Sequence, residues 1–410
     1  MLEGLGQRAR AAEQLLAQSA HDTRNKALLL MARLLREEPG EILRANGEDL
    51  AAATELSAAM RDRLLLNEKR LSGIAQAMEE IAALPDPLGR LLFEDTRPNG
   101  LHIRRVAVPL GVIAVIYEAR PNVTLDAAAM CLKSGNAVIL RGGREAIRSN
   151  TALANLARKA CLEAGLPEDC VQLVSDTSRE SAAALMRLRG YVDLLIPRGG
   201  RGLIRTALDN ATVPVLQTGE GVCHIYIDKA ADLDMAKAVT LNAKTSRPSV
   251  CNAAECLLVH ADIAASALPA ISAALIEKGV ELRGDEEACR LVPAMKPADE
   301  SDWGKEYNDL ILAVRVVRDL DEALEHIARY GTQHSEAIIT GDEAAARRFL
   351  SEVDAAAVYH NASTRFTDGG EFGFGAEIGI ATQKLHCRGP VDIKALTSTK
   401  YVIEGTGQIR

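Results

Sequence analysis

Aromatic residues and long apolar runs are both scarce in this chain. Its 410 residues include one Trp and five Phe, and no stretch approaches the ~18 consecutive apolar residues of a membrane-spanning helix. The basic residues are dispersed and the formal net charge is −8, which argues against a nucleic-acid partner, because phosphates attract a concentrated basic face. The amino terminus has no apolar stretch behind a basic start, so no secretory signal is expected. These absences predict a soluble cytoplasmic protein with neither a membrane nor a nucleic-acid partner.

The eight cysteines show no paired framework, which is typical of reduced thiols in a reducing compartment. Cys251, in the string TSRPSVCNAAE (245–255), has no second Cys or His at zinc-ligand spacing, so no metal site is predicted. Two interpretations of this thiol remain. It is either a buried packing residue, as most free cysteines are, or a nucleophile, and the rest of the chain must decide.

The order of apolar and polar residues predicts two α/β domains. Residues 1–90 have helical periodicity, and from Leu101 onward short apolar strands alternate with helices, which predicts βαβ units and parallel sheets. A second run of this kind begins near Thr212. Cofactor phosphates bind at strand ends in open α/β sheets, and six glycines fall at such ends: Gly135, Gly142, Gly143, Gly199, Gly200 and Gly202.

Arg141 and Arg144 flank two glycines directly after the predicted strand 137–140. Two guanidinium groups beside glycines that expose backbone N–H groups would suit a phosphate. A solvated loop with incidental arginines is an equal alternative. The G-x-G-x-x-G string is absent, so the pattern alone does not predict a standard dinucleotide site.

The order of several short strings resembles the aldehyde dehydrogenase superfamily: PLGVI, SGNAVILRG, GLPED, PRGGRG and then a Cys in RPSVCN. Longer strings resemble the branch that reduces γ-glutamyl phosphate in proline biosynthesis, namely AKTSRPSVCNAAE, ALEHIARYGTQHSEAI, VYHNASTRFTDGGEFGFGAEIGI and TQKLHCRGP. This resemblance covers essentially the whole chain. It implies an α/β fold of two parallel-sheet Rossmann-type domains plus a small β oligomerisation arm.

The resemblance also implies a division of labour along the chain. Residues 1–95 and 110–220, with a returning segment near 366–390, would bind NADP, and residues 221–365 would form the catalytic domain. Residues 96–109 and 391–410 would form an arm that pairs with a second subunit, so a homodimer or homotetramer is expected. Because an acyl phosphate is labile, a glutamate 5-kinase is a candidate partner.

The implied reaction is the NADPH-dependent reduction of L-glutamate 5-phosphate to L-glutamate 5-semialdehyde and phosphate. The Cys251 thiolate would attack the acyl carbon, and phosphate would leave to give a thioester that hydride reduces. The oxyanion needs hydrogen-bond donors, which the Cys251 N–H, the Asn122 amide or both would supply. Relatives that hydrolyse the thioester carry a Glu base where Gln217 stands here. Because an amide cannot act as a base, slow hydrolysis is expected. Glu220 is a weaker candidate for such a base.

NADP(H) is the expected cofactor. The superfamily has a Lys at the Arg141 position, and an acidic residue three places on favours NAD. Arginine at both 141 and 144 would instead attract a 2′-phosphate. Gly199 and Gly200 are expected to approach a cofactor phosphate. Glu306 resembles the superfamily Glu that hydrogen-bonds the nicotinamide ribose, with a solvent-facing loop carboxylate as the alternative.

The string NASTRFTDGGEFGFGAEIG is expected to bind the α-carboxylate and the α-amino group of the substrate. Arg365 could hold its α-carboxylate bidentately. Hydroxyl, amide and carboxylate contacts are offered by Asn361, Ser363, Thr364, Asp368 and Glu371. Arg120 and Arg247 are candidates for binding the leaving phosphate, although a surface ion pair is an equal alternative for any single arginine.

His334 and His386 invite a general-base role, although a His in a turn more often makes a local hydrogen bond. Two rival functions remain. An oxidising aldehyde dehydrogenase would require a hydrolytic base near Gln217. A non-catalytic subunit that keeps the fold would be favoured if Cys251 were replaced.

Overall fold

The computed structural model describes residues 2–410, apart from the side chains of residues 58 and 59. In chain order its α-helices are α1 (Leu2–Leu16), α2 (His21–Glu37), α3 (Gly40–Ala52), α4 (Ala58–Leu64), α5 (Glu68–Ala83), α6 (Asn122–Lys133), α7 (Ile147–Ala164), α8 (Arg179–Met186), α9 (Arg201–Asn210), α10 (Leu233–Thr245), α11 (Ala261–Glu277), α12 (Glu286–Leu291), α13 (Leu320–Tyr330) and α14 (Glu343–Glu352). No helix within residues 2–410 combines the length and apolar character needed to cross a bilayer.

In chain order the strands are β1 (Leu91–Thr96), β2 (His102–Pro109), β3 (Val112–Tyr117), β4 (Ala137–Arg141), β5 (Val171–Leu173), β6 (Leu194–Arg198), β7 (Cys223–Ile227), β8 (Ala254–His260), β9 (Glu281–Gly284), β10 (Lys296–Pro297), β11 (Ile311–Val317), β12 (Ser335–Ile339), β13 (Ala357–His360), β14 (Ile380–Ala381), β15 (Gly389–Pro390) and β16 (Thr397–Glu404). The predicted alternation of strands and helices after Leu101 is confirmed.

The chain folds into two compact units. Unit 1 comprises the residues up to Thr218 together with Gly373–Gly379 and Val391–Arg410. Unit 2 comprises Gly219–Phe372 and Ile380–Pro390. The stretch that returns to unit 1 is therefore shorter than the predicted segment 366–390. Residues 366–372 and 380–390 belong to unit 2, where Lys384 and Arg388 pair with Asp354.

Unit 1 is built on a parallel sheet with strand order β5-β4-β3-β6. Strand β3, with the sequence VIAVIY, is buried along its whole length. A run of β-branched and apolar residues is what a central parallel strand needs, because both of its faces are covered. Around it, α2 packs on α5 and α7, and α6 packs on α5 and α7. The helical prediction for residues 1–90 is confirmed by α1–α5.

Unit 1 also carries a three-stranded antiparallel sheet of order β1-β2-β16. Strand β2 pairs with β16 from Pro109 opposite Thr397 to His102 opposite Glu404. Several large apolar side chains on this sheet are exposed: Leu91, Phe93, Tyr401 and Ile403. These strands overlap the predicted arm (96–109 and 391–410), and its pairing with a second subunit stays a prediction.

Unit 2 is built on a seven-stranded parallel sheet of order β10-β9-β11-β8-β7-β12-β13. Its central strands β7 and β8 are buried along their whole length, and helices α10 and α11 pack together over this sheet. Four of the five helices of unit 2 begin at an Asp N-cap. One is Asp319 before α13, whose carboxylate accepts the N–H of Glu322. The strand order brings the sequence-distant strands β7 and β12 together, which matters for the site.

Candidate active site

Cys251 lies in the loop that joins α10 to β8. The helix ends at Thr245, and Arg247 precedes Pro248, whose ring disfavours helical geometry in the residue before it. The thiol is partly exposed, as is that of Cys289, whereas the other six cysteines are buried. A nucleophile must be reachable by its substrate, so the accessibility of Cys251 favours the nucleophile interpretation over a packing role.

The backbone carbonyl of Cys251 is packed tightly against the start of β7. A Cβ atom added to Gly221 would lie 1.4 Å from the Cys251 carbonyl oxygen, so only glycine fits there. The Gly221 N–H donates to Glu306 Oε1 at 3.0 Å. The Cys223 thiol donates to the Cys251 carbonyl oxygen at 3.2 Å. These contacts fix the main chain directly after the nucleophile.

Arg365 is electrostatically coupled both to Cys251 and to Arg247. Desolvation lowers the pKa of Arg365, and the positive charge of Arg247 lowers it further, while Asp368, Cys251 and Glu371 act in the opposite direction. The structure therefore brings these predicted residues into mutual range within unit 2. Positive charge beside a thiol favours its thiolate form, and it also attracts an anionic substrate.

Asn252, the residue after the nucleophile, is locked to the segment around Arg365. Its side-chain oxygen accepts a bond from Arg365 Nη1, and its side-chain nitrogen donates to the carbonyls of Arg365 at 3.2 Å and Thr367 at 3.0 Å. Thr364 Oγ1 donates to the Asn252 carbonyl at 2.7 Å. Arg365 Nε is buried and has no hydrogen-bond partner among the described residues. Asn252 thus holds Nη1 of this guanidinium, whereas Nε makes no hydrogen bond to the described residues.

The other predicted substrate contacts are engaged in turns. The Asn361 side chain both accepts from the Thr340 N–H and donates to the Thr340 carbonyl, each at 3.0 Å. Ser363 Oγ accepts the Arg365 N–H at 3.3 Å and so begins a short 3₁₀ helix. These bonds shape the loop that presents Arg365. Direct contact of Asn361, Ser363 and Thr364 with substrate stays a prediction.

The two histidines considered as bases differ in exposure. His334 is fully buried, and desolvation lowers its pKa to about 4. Its Nδ1 lies 2.8 Å from Ser335 Oγ and 3.7 Å from Cys223 Sγ. His386, by contrast, is exposed. A buried neutral imidazole bonded to its own neighbours is a structural group, and the general-base hypothesis for His334 gains no support from this geometry.

In unit 1, Arg141 lies at the carboxyl end of β4. Its Nη2 donates to the carbonyls of Thr177 at 2.6 Å and Ser178 at 2.8 Å, while its Nε is buried without a hydrogen-bond partner among the described residues. Desolvation lowers the pKa of Arg141, whereas the negative charges of Glu145, Asp176 and Glu118 act to raise it. Arg144 is exposed at the start of the next turn. Binding of a cofactor 2′-phosphate by Arg141 and Arg144 stays a prediction.

The Gly199–Gly200 turn of unit 1 already holds an anion. The Gly200 N–H, at the N-terminus of α9, donates to Glu118 Oε2 at 2.9 Å, and a Cβ on Gly199 would lie 2.4 Å from the same oxygen. Helix N-termini attract negative charge through free N–H groups and the helix dipole. Binding of a cofactor phosphate at this turn stays a prediction.

Asn122 begins α6 in unit 1, and its side chain donates to Asp126 Oδ2 at 2.8 Å. Desolvation raises the pKa of Asp126 to about 6, although this bond and the charge of Arg198 lower it. Arg120 is exposed in the preceding turn. Gln217 falls in unit 1, and Glu220 falls in unit 2. The predicted roles of Asn122 and Arg120 stay predictions.

A second polar cluster lies in the interior of unit 2. Potential ligand atoms of His224, Cys256 and His326 lie within 4.8 Å of one another. His224 Nδ1 is 2.9 Å from Glu336 Oε2, and His326 Nδ1 is 3.1 Å from Arg315 Nη1. Because a guanidinium only donates, this contact leaves the proton of a neutral His326 on Nε2, facing Cys256. A protonated nitrogen cannot bind a metal, so the cluster is a hydrogen-bonded core.

Several of these residues were not singled out from the sequence. Gly221 and Asn252 are not among the predicted site residues, and neither is Cys223, which is completely buried. The string TGEGVCH has glycines before an apolar strand, which indicates a close backbone approach. The sequence has no signal for what approaches it.

The two parallel α/β units and the partly exposed Cys251 are consistent with an α/β oxidoreductase. The profile of the aldehyde dehydrogenase family matches residues 3–305, so the chain belongs to this family and the predicted resemblance is confirmed. The family implies a nicotinamide cofactor.

Particular relatives share one name. The gamma-glutamyl phosphate reductase of Moorella thermoacetica is 60% identical over 407 residues, covering 99% of this chain and 97% of that protein. The one from Carboxydothermus hydrogenoformans is 58% identical over 408 residues, covering 99% and 98%. The crystal structure of gamma-glutamyl phosphate reductase from Thermotoga maritima has a TM-score of 0.98 and 49% identity, covering 100% of this chain and 99% of that one. This similarity confirms the predicted fold class.

Proposed function

We propose that this chain is an NADPH-dependent glutamate-5-semialdehyde dehydrogenase, that is, a γ-glutamyl phosphate reductase. It converts L-glutamate 5-phosphate to L-glutamate 5-semialdehyde and phosphate, the second step of proline biosynthesis from glutamate. The observation that carries this proposal is the partly exposed Cys251 in the field of Arg247 and Arg365. The names of the full-length relatives supply the substrate.

The chemistry follows from the thiol and its surroundings. The Cys251 thiolate attacks the acyl carbon, the carbonyl oxygen takes up negative charge, and phosphate leaves as the thioester forms. The Cys251 N–H is the predicted backbone donor for that charge, with the Asn122 amide as the second predicted donor. The bound cofactor supplies a hydride to the thioester. Collapse of the resulting thiohemiacetal releases the semialdehyde and restores the thiolate.

Substrate binding is assigned to the charged residues around the thiol. Arg365 holds the α-carboxylate, and Arg247 with Arg120 attracts the leaving phosphate. The α-ammonium meets Asp368 or Glu371. The orphan Arg365 Nε supports this assignment, because a buried donor without a partner is stabilised by an anionic ligand.

Cofactor binding is assigned to Arg141, Arg144, Gly199, Gly200 and Glu306. The two arginines would bind a 2′-phosphate, which favours NADP(H) over NAD(H). The orphan Nε of Arg141 and the anion already held by the Gly200 N–H support a phosphate at these positions. Glu306 would bind the nicotinamide ribose. Its bond to the Gly221 N–H orients one of its oxygens.

The assembly and location of the protein are part of the same proposal. A homodimer or homotetramer would cover the exposed apolar side chains of the β1-β2-β16 sheet. A glutamate 5-kinase is the proposed source of the labile substrate. The reduced state of the cysteines supports a reducing, cytoplasmic location.

The decisive experiment is phosphate-dependent NADP reduction with glutamate-5-semialdehyde. The native chain is compared with Cys251→Ser, and Cys289→Ser is the control because it removes the other partly exposed thiol. We expect activity that requires phosphate, vanishes in Cys251→Ser and persists in Cys289→Ser. Activity without phosphate would instead mean that water accepts the acyl group, as in an oxidising dehydrogenase. Activity that survives Cys251→Ser would exclude this thioester.

A further inference from the structure

The buried thiol of Cys223 contacts the main-chain carbonyl of the nucleophile Cys251. Cys223 Sγ lies 3.2 Å from the Cys251 carbonyl oxygen, and its side chain is fully buried. Desolvation raises the pKa of Cys223 well above its ordinary value, and nearby carboxylates such as Glu336 raise it further. The thiol therefore keeps its proton, and the S–H group donates to the carbonyl.

A chain of hydrogen-bonding groups continues behind this thiol. Cys223 Sγ is 3.7 Å from His334 Nδ1, which is 2.8 Å from Ser335 Oγ. Ser335 Oγ is 2.6 Å from Thr367 Oγ1, which is 2.7 Å from the Tyr359 hydroxyl. The low pKa of His334, about 4, keeps its ring neutral with a single N–H. Since the Cys223 proton is used on the Cys251 carbonyl, the imidazole proton belongs on Nδ1, facing Cys223 Sγ and Ser335.

An irregularity in the sheet lies beside this thiol, in strand β8. The pairing of β7 with β8 passes from Cys223 opposite Ala254 to His224 opposite Cys256, so Glu255 is an extra residue in β8. A β-bulge of this kind bends a strand and redirects its side chains, and bulges are common beside active sites. Here it lies at the point where the nucleophile's loop enters the sheet.

We propose that Cys223, oriented by His334, is a positioning residue for the Cys251 nucleophile. Its S–H bond holds the carbonyl of Cys251, while Asn252 is held from the other side by Thr364, Thr367 and Arg365. Holding this carbonyl restricts the position of the Cys251 Cα, and hence the range of positions open to the attacking sulfur. This role rests on the proposed function, because it presupposes that Cys251 is the nucleophile.

The test compares Cys223→Ala, which removes the donor, with Cys223→Ser, which keeps one. Cys256→Ala is the matched control, because Cys256 is an equally buried thiol on the adjacent strand β8. Two quantities are measured. One is kcat and KM for phosphate-dependent NADP reduction. The other is the rate of Cys251 alkylation by iodoacetamide across a range of pH, located by peptide mapping.

We expect Cys223→Ala to lower kcat about tenfold at unchanged KM, the effect of one hydrogen bond on a barrier. It should also slow Cys251 alkylation at every pH. Cys223→Ser should restore most of both quantities, and Cys256→Ala should change neither. Equal losses in Cys223→Ala and Cys256→Ala, or no rescue by serine, would overturn the proposal.

A second route starts from His334→Leu, which keeps the Cys223 thiol and removes the imidazole behind it. Cys223→Ala/His334→Leu completes a double-mutant cycle with Cys223→Ala. Because the two groups act in series, His334→Leu should slow Cys251 alkylation, and the double variant should be slower by less than the sum of the single effects. Additive effects would contradict the coupling. Alkylation needs neither substrate nor cofactor, so it reports positioning even if the proposed substrate were wrong.

Discussion

Lys244 and Glu255 form an ion pair that is shut off from solvent, with Lys244 Nζ 2.6 Å from Glu255 Oε2 and side chains that are 0% and 1% exposed. Glu255 is also the extra residue of the β8 bulge, and its other oxygen accepts the Asn308 N–H at 3.3 Å. The pair therefore joins the end of α10 to the start of β8, the two elements that the Cys251 loop connects.

Removing one charge of this pair should be costly. Lys244→Met leaves a buried carboxylate without its partner, and breaking a buried pair in this way typically costs about 3–5 kcal/mol. Lys159→Met is the control, because Lys159 pairs with Glu38 at 2.8 Å while 48% exposed, and an exposed pair is worth about 1 kcal/mol or less. The free energy of unfolding in urea measures both. Similar losses in the two variants would contradict this account.

Gly221→Ala should impair catalysis by displacing the nucleophile's carbonyl. The added Cβ would lie 1.4 Å from the Cys251 carbonyl oxygen, so the loop must shift. A displacement of ~1 Å in a reacting group can cost about a hundredfold in rate. Gly73→Ala is the control, because Gly73 lies within α5 and its Cβ would meet nothing within 4 Å. That change should leave kcat unaltered and stabilise the helix by up to about 1 kcal/mol. Full activity in Gly221→Ala would mean that the loop is not held as described.

The field of Arg247 should be visible in how Cys251 reacts with charged reagents. Arg247→Gln should lower the rate of alkylation by anionic iodoacetate more than by neutral iodoacetamide, by a factor of about 3 to 10, because a nearby positive charge attracts the anion. The ratio of the two rates cancels any change in the thiol itself. Arg205→Gln is the control, since Arg205 pairs with Asp209 on an exposed face of α9. An unchanged ratio in Arg247→Gln would remove this arginine from the site.

His334 should make the protein less stable in acid. Its pKa falls from 6.5 to about 4 on burial, so between these values the unfolded chain binds a proton that the native protein does not. Stability contributed by the neutral ring is thus lost as the pH falls below about 6.5, by about 1.4 kcal/mol per pH unit. The cost of His334→Asn in urea unfolding should shrink by about 2 kcal/mol between pH ~6.5 and ~5. A cost that does not change with pH would contradict the depressed pKa.

The class of fold could be predicted from local pattern, because the chain marks its buried strands clearly. The run VIAVIY becomes β3, buried throughout, and the apolar run at 223–227 becomes β7, buried throughout. Cys251 and Arg365 were identified through strings that resemble a family, and the structure brings both into one electrostatic environment.

The support beneath the nucleophile could not be predicted in the same way. Cys223 and His334 are 111 residues apart, and they meet because the loop before β12 runs beside β7. His224 and Glu336 are 112 residues apart and meet for the same reason. Strand order depends on how the whole sheet packs, so residue types alone do not reveal which strands become neighbours. A buried Cys therefore looks the same in the sequence whether it fills space or holds a carbonyl.

The pairing of β2 with β16 has a consequence for synthesis of the chain. Arg104 and Glu404, bonded at 2.8 Å across this pair, are 300 residues apart. While the ribosome adds the residues in between, β2 has β1 on one side and an unsatisfied edge on the other, and such edges recruit foreign strands. A chain released before Thr397 would keep that edge permanently. We therefore expect the last strand to protect the completed chain against aggregation, independently of any role in assembly.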